Sequence, residues 1–214
     1  MLMLKRHSIL IGIIISLLLI VIAAKYYPGG SNFDKTTIGF LWTKNYISNL
    51  FGEKAVNGLE NGARYWAMAS MMILSLSFAV FFIQFSKRIP HKGATNVIKF
   101  FGGAGMVCTF LIATPLHDLM VIIASTIFLL CIFYITVFVF KSKLNGFKVL
   151  CTLYMLLFYG TLFIYGSVDF RSYLPIIQKV LFGSTILLII ALHYFTKKED
   201  FQNGSLQRNL PNVE

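Results

Sequence analysis

Charge is scarce in this chain. Asp, Glu, Lys and Arg make up 13% of its 214 residues, where a soluble domain carries about a quarter. A water-facing surface of ordinary composition is therefore excluded. Acids are the scarcer sign, with eight against nineteen Lys and Arg. Cysteine is nearly absent at three. At about 1.5 Å of rise per helical residue, Cys108, Cys131 and Cys151 fall at different depths, so a disulfide framework or shared metal site is excluded. The four histidines include no pair four residues apart that would set two ligands on one helix face. A zinc site would need His7, His91 and His193 to converge from a terminus, a loop and a helix end. There is no phosphate-binding glycine loop, haem-attachment pair, nucleophile elbow or dinucleotide fingerprint. No metal and no cofactor are expected.

Apolar residues are abundant, at 57% of the chain with a mean hydropathy of +0.75. They gather into runs from Ser8 to Ala24, Ala63 to Ser86, Val97 to Thr114, Leu119 to Phe140, Phe147 to Val168 and Pro175 to Phe195. Each approaches the roughly 20 residues a helix needs to cross about 30 Å of hydrocarbon. Barrel strands would be about half as long and would alternate in polarity. The fold class is all-α: a polytopic integral membrane protein, a bundle of six transmembrane helices. The first run follows Lys5, Arg6 and His7, and Ala23-Ala24 resembles a cleavage site. Its length exceeds the roughly 7–15 residues of a leader's apolar region, so it reads as a retained helix.

The basic residues set the orientation. Twelve Lys and Arg and three acids flank the ends that include Lys87, Arg88, Lys141 and Lys143; seven and five flank the other ends. Positive residues favour the cytoplasm, so both termini are expected there. The overall charge of +11 is thus a topology signal. Nucleic acid is not an expected partner, because the bases form short clusters beside helices, where anionic lipid headgroups meet them.

Residues 1–196 read as one transmembrane domain and 197–214 as a polar, disordered cytoplasmic tail. Most connections are short, which makes neighbouring helices antiparallel. The exception is a long first outer loop, 25–62, rich in aromatics: Tyr26, Tyr27, Phe33, Phe40, Trp42, Tyr46 and Phe51. Pro28-Gly29-Gly30-Ser31 opens it as a turn. Thr36 or Thr37 is placed to cap a short helix running toward Phe51. The loop is expected to lie as a lid over the outer end.

Several strings follow the helices in order: Tyr27-Pro28-Gly29-Gly30, Asn45-Tyr46-Ile47-Ser48-Asn49-Leu50, Asn57-Gly58-Leu59-Glu60-Asn61, Thr114-Pro115-Leu116-His117-Asp118-Leu119 and Leu174-Pro175-Ile176-Ile177-Gln178-Lys179. This arrangement resembles bacterial six-helix membrane proteins grouped as domain of unknown function 998, from about Tyr27 to Lys179. One departure is Lys179, where many relatives carry Arg. The resemblance implies the six-helix architecture and a bacterial cytoplasmic (inner) membrane. It implies no activity, and directs attention to the outer face.

These strings bring Asp34, Asn45, Glu60, Asn61, Arg64, His117, Asp118, Gln178 and Lys179 to the outer helix ends. Ionisable groups at membrane depth are candidate functional groups. Each also has a structural explanation. Asn57 and Glu60 have the spacing of a capping box. Glu60 and Arg64 have the spacing of a same-face ion pair. Thr114-Pro115 reads as a cap and first helical residue. His117 and Asp118 lie about 100° apart on a helix and should not face each other. Lys179 can snorkel outward. Taken together they favour a polar pocket under Trp42 and Tyr46 that binds a lipid, another amphipathic molecule or a partner. The ligand-binding set is Trp42, Asn45, Tyr46, Glu60, Asn61, Arg64, His117, Gln178 and Lys179. Second is an intramembrane lipid-directed enzyme with His117 as acid or base, oriented by Glu60 or Asp118. A small transporter ranks third, since the chain shows no repeat and no midplane charge. Oligomeric state has no signature here.

Overall fold

The computed structural model describes residues 2–167 and 169–206. Six helices are long and apolar enough to cross a membrane. They are α1 (Leu2–Tyr26), α2 (Arg64–Ser86), α3 (Lys92–Leu111), α4 (His117–Lys141), α5 (Asn145–Gly166) and α6 (Leu174–Phe195). Their outward faces are apolar: Leu156, Phe163 and Leu187 are each more than 60% exposed. Lipid, which such side chains match, is the solvent that fits. The long loop lies at one end of the bundle and the start of α1 and end of α6 at the other, called here the loop end and the terminal end.

Inside a bilayer, helices associate by close packing and hydrogen bonds rather than by escape from water. The contact between α1 and α2 shows both. Gly12 lies so close to Ser77 that any side chain there would collide with its hydroxyl. One turn further along, the Ser16 and Ser70 hydroxyls meet at 2.8 Å, and Ser70 also donates to the Ser16 carbonyl at 2.9 Å. Helix α3 starts earlier than its apolar run, at Lys92, where His91 Nδ1 accepts from the Ala94 N–H. A π turn over Val97–Phe101 inserts an extra residue. The helix then resumes with Gly102, where a Cβ would stand 2.5 Å from the Phe82 ring, and Gly105, where one would stand 2.7 Å from Ile127. These glycines let α3 lie close against both α2 and α4.

Two apolar clusters result. The larger draws on all six spans, from Ile9 and Phe81 through Ile98, Ile132 and Phe158 to Leu188, Ile189 and Leu192. The smaller cluster holds the loop to the bundle. Ile47, Leu50, Phe51 and Ala55 pack on Ile20 and Ala23 of α1, Ala67 of α2 and Ala113 beyond α3. The loop meets water, so here burial does drive folding, at about 1.5–3 kcal/mol for a large side chain.

The loop differs from its expected form. Thr36 and Thr37 cap no helix. They lie in β2 (Asp34–Ile38), which pairs antiparallel with β1 (Gly29–Ser31). Gly30 has φ +81, and a Cβ there would collide with the Asn57 N–H, so the hairpin seats directly on the 55–58 turn. Beyond Tyr26, the only helical piece of the loop among the described residues is a 3₁₀ turn, Ile47–Phe51.

The expected polar tail is also corrected in part. Residues Glu199–Leu206 form a helix, α7, whose Phe201 is 4% exposed and packs edge-on against Phe85 at 5.6 Å. The Asp200 carboxylate accepts from the Lys197 N–H at 2.6 Å and so helps start the helix. Residues 207–214 lie outside the described residues.

Arg88 closes the terminal end. Its Nη1 donates to the Leu192 and Thr196 carbonyls at 2.8 and 2.9 Å and to the Thr196 hydroxyl at 2.9 Å; its Nη2 donates to the His193 carbonyl at 3.0 Å. These carbonyls belong to the end of α6, which has no helical partner for them, and a cation suits that end of the helix dipole. Burial lowers the Arg88 pKa, and Asp200 acts against that. Arg88→Met should destabilise the bundle by about 3 kcal/mol, read by equilibrium unfolding in mixed micelles. Arg88→Lys should recover only part of this, because an ammonium lacks the planar fork.

Candidate functional site

Asparagine side chains organise the loop end. Asn45 is fully buried. Its Oδ1 accepts from the Leu41 N–H at 2.9 Å, and its Nδ2 donates to the Gly30 carbonyl at 2.6 Å. Asn49 Oδ1 accepts from the Tyr46 N–H at 2.7 Å. Asn61 Nδ2 donates to the carbonyls of Asn49, Leu50 and Gly52 at 3.3, 3.2 and 2.8 Å, while its Oδ1 accepts from the Ala63 N–H at 3.1 Å. Each side chain replaces a backbone partner that an irregular segment lacks.

A cleft of about 520 Å³ opens beside this scaffold. Ser48, Phe51, Gly52 and Glu53 of the loop form one wall; Arg64 opens α2; Ile112, Ala113, Thr114 and Pro115 link α3 to α4; His117 opens α4. Two long helices therefore begin at one cleft, and the start of a helix favours negative charge. Arg64 Nη1 lies 2.9 Å from Glu53 Oε1. Glu53 is largely exposed there, so the pair is weakly held. Arg64 Nε is buried with no partner among the described residues.

Of the expected ligand-binding residues, the structure brings Arg64 and His117 to this cleft. Glu60 is exposed and stands apart. Its backbone bridges to Lys54, and that reversal places Glu53, rather than Glu60, against Arg64. Asn57 and Glu60 form no capping box for α2. Asn57 Oδ1 instead accepts from the Leu59 N–H at 3.1 Å within its own turn. Thr114 and Pro115 precede the start of α4, which falls at His117. His117 and Asp118 do meet, with Nδ1 and Oδ1 2.9 Å apart. Asp118 is 96% exposed in that pair.

The remaining candidates cluster on the α6 side of the loop. Gln178 Oε1 accepts from the Ile47 N–H at 3.1 Å. Lys179 does not snorkel away. Its Nζ donates to the Asn45 and Pro175 carbonyls at 2.5 and 2.8 Å, over the Phe40 ring at 5.7 Å. Phe40 meets Trp42 and Tyr27 edge-on. Trp42 and Tyr46 do not line the cleft. Asp34 belongs to the hairpin, where the Thr36 hydroxyl and N–H hold its carboxyl below the ordinary range.

Glu53, Ser48 and Phe51 line the cleft without having stood among the expected residues. Their spacing carries no signal, because the 54–60 reversal decides which acid reaches Arg64. No three His, Cys, Asp or Glu side chains come together among the described residues, and the three cysteines are free. Comparisons with family models, curated proteins and solved structures find no match.

Tyr27 supplies a pH test. Its hydroxyl donates to the Gly30 carbonyl at 3.2 Å and accepts from the Val56 N–H at 3.1 Å. Burial raises its pKa above 10.0, with Val56 acting against. Burial also raises Tyr46, opposed by Arg171 and reinforced by Tyr165. Because both values are raised on folding, their contribution is complete below about pH 10 and is lost as the pH rises through the folded values. The thermal midpoint should fall as the pH rises above about 10, and the Tyr27→Phe, Tyr46→Phe double variant should flatten that fall.

Proposed function

We propose that this membrane protein binds an amphipathic molecule with an anionic headgroup in the loop-end cleft. The observation that carries the reading is the meeting of Arg64, His117 and two helix starts around one cleft of about 520 Å³. Arg64 would take the headgroup oxygens, since a guanidinium binds oxyanions through two parallel N–H groups. Phe51, Ile112, Ala113 and Pro115 would meet the apolar part. The excess of bases at the terminal end supports termini in the cytoplasm and a loop end facing outward. A bacterial cytoplasmic membrane and kinship with domain of unknown function 998 rest on the sequence motifs alone.

Binding of a fluorescent phosphatidylglycerol to the protein in nonionic micelles tests this. Arg64→Ala should weaken it by about tenfold or more, and a neutral diacylglycerol probe should bind less tightly and be indifferent to the substitution. Equal affinity for both probes in both proteins would remove the reading.

One observation favours a second reading. His117 borders the cleft and is hydrogen-bonded to a carboxylate, the arrangement of a general acid or base with its orienting partner. A lipid-directed enzyme would then release a product from a membrane extract, detectable by mass spectrometry. His117→Gln should abolish it; product formation at an unchanged rate would dismiss His117 from that role.

A further inference from the structure

The two residues that α6 sends into the loop, Gln178 and Lys179, are absent from the cleft lining. Their contacts fall on Asn45 and Ile47, on either side of Tyr46. One loop group accepts a hydrogen bond and the other donates one. The segment therefore cannot rotate or slide along α6 without breaking at least one of them. Ser48, the first residue of the cleft wall, follows Ile47 directly in the 3₁₀ turn, whose rise is about 2 Å per residue.

The far end of the same turn is held independently. Asn61, three residues before α2, binds the carbonyls of Asn49, Leu50 and Gly52. The wall thus hangs between two polar anchors, one from α6 and one from the approach to α2. Phe182 of α6 also packs against the loop-end cluster. Lys179 forms no ion pair among the described residues. It holds backbone carbonyls, so its contact fixes the position of the chain rather than that of another flexible side chain.

We propose that Gln178 and Lys179 are positioning residues, which set the width of the cleft from α6 without touching its ligand. The proposal rests on the cleft being a binding site, and adds that α6 controls it. A movement of α6 along its axis would carry the Asn45–Ile47 segment with it and change the gap between Ser48 and the α3–α4 link.

The test reads the cleft directly and its affinity separately. Spin labels are placed at Ser48→Cys and Thr114→Cys in a Cys108→Ala background, since Cys131 and Cys151 are buried. Dipolar broadening then reports the gap. Lys179→Met and Gln178→Leu should each widen its distribution and weaken phosphatidylglycerol binding by roughly three- to tenfold, the range of coupling through a packed network. Lys179→Arg should restore both. A purely structural role would lower the thermal midpoint without changing the gap at low temperature, and that result would overturn the proposal. An altered gap with unaltered affinity would overturn it as well. If the wild-type protein binds no probe, the cleft reading fails, while an unchanged gap in Lys179→Met still decides separately against positioning.

Discussion

Asn61 offers two N–H groups to three carbonyls and accepts from a fourth residue with its oxygen. An irregular segment at a membrane surface has to satisfy its peptide groups without the regular ladder of a helix or sheet. Here one side chain does so for the far half of the 3₁₀ turn. It also fixes that turn against the start of α2. The far end of the cleft wall takes its position from this contact. Leucine at position 61 would match its volume but leave several carbonyls unpartnered, which costs more than the lost hydrogen bonds alone.

The two ends of the bundle are built on different physics. Toward the terminal end, all six spans contribute large side chains to one cluster, with Phe81, Phe82 and Phe85 among the most buried. Arg88 and α7 then cover it. Toward the loop end, small residues line the spans and their approaches: Ala23, Ala63, Ala67 and Ala113. They leave room, and the loop enters to fill it. The cleft lies where that filling is incomplete.

The spans were legible because each depends on a simple composition: about 20 apolar residues with charge at the ends. The loop was not. Thr36 and Thr37 suit a helix cap by local propensity, yet the chain reverses at Asn32-Phe33 into a hairpin, and β-branched residues are equally at home there. The helical tail was missed because Phe201 was a single aromatic among polar residues. Its partner, Phe85, lies far away in sequence, so only the fold brings the two together.

The candidate site was half legible for the same reason. Arg64 and His117 sit at helix starts, which the sequence places only to within a few residues. Glu60 was assigned to Arg64 by its spacing of four residues, a rule that holds only within a helix. In the structure α2 begins at Arg64, so Glu60 lies outside it, and an antiparallel reversal brings Glu53 across instead. Gln178 and Lys179 were placed at the correct end but given a ligand to bind. The partners they hold in the loop are peptide groups more than 130 residues earlier in the chain. A polar residue at the end of a span must find a hydrogen-bonding partner whether or not a ligand exists. In this protein the long loop competes with any ligand for those residues, and it is Arg64, with its Nε still unpartnered among the described residues, that the loop leaves incompletely satisfied.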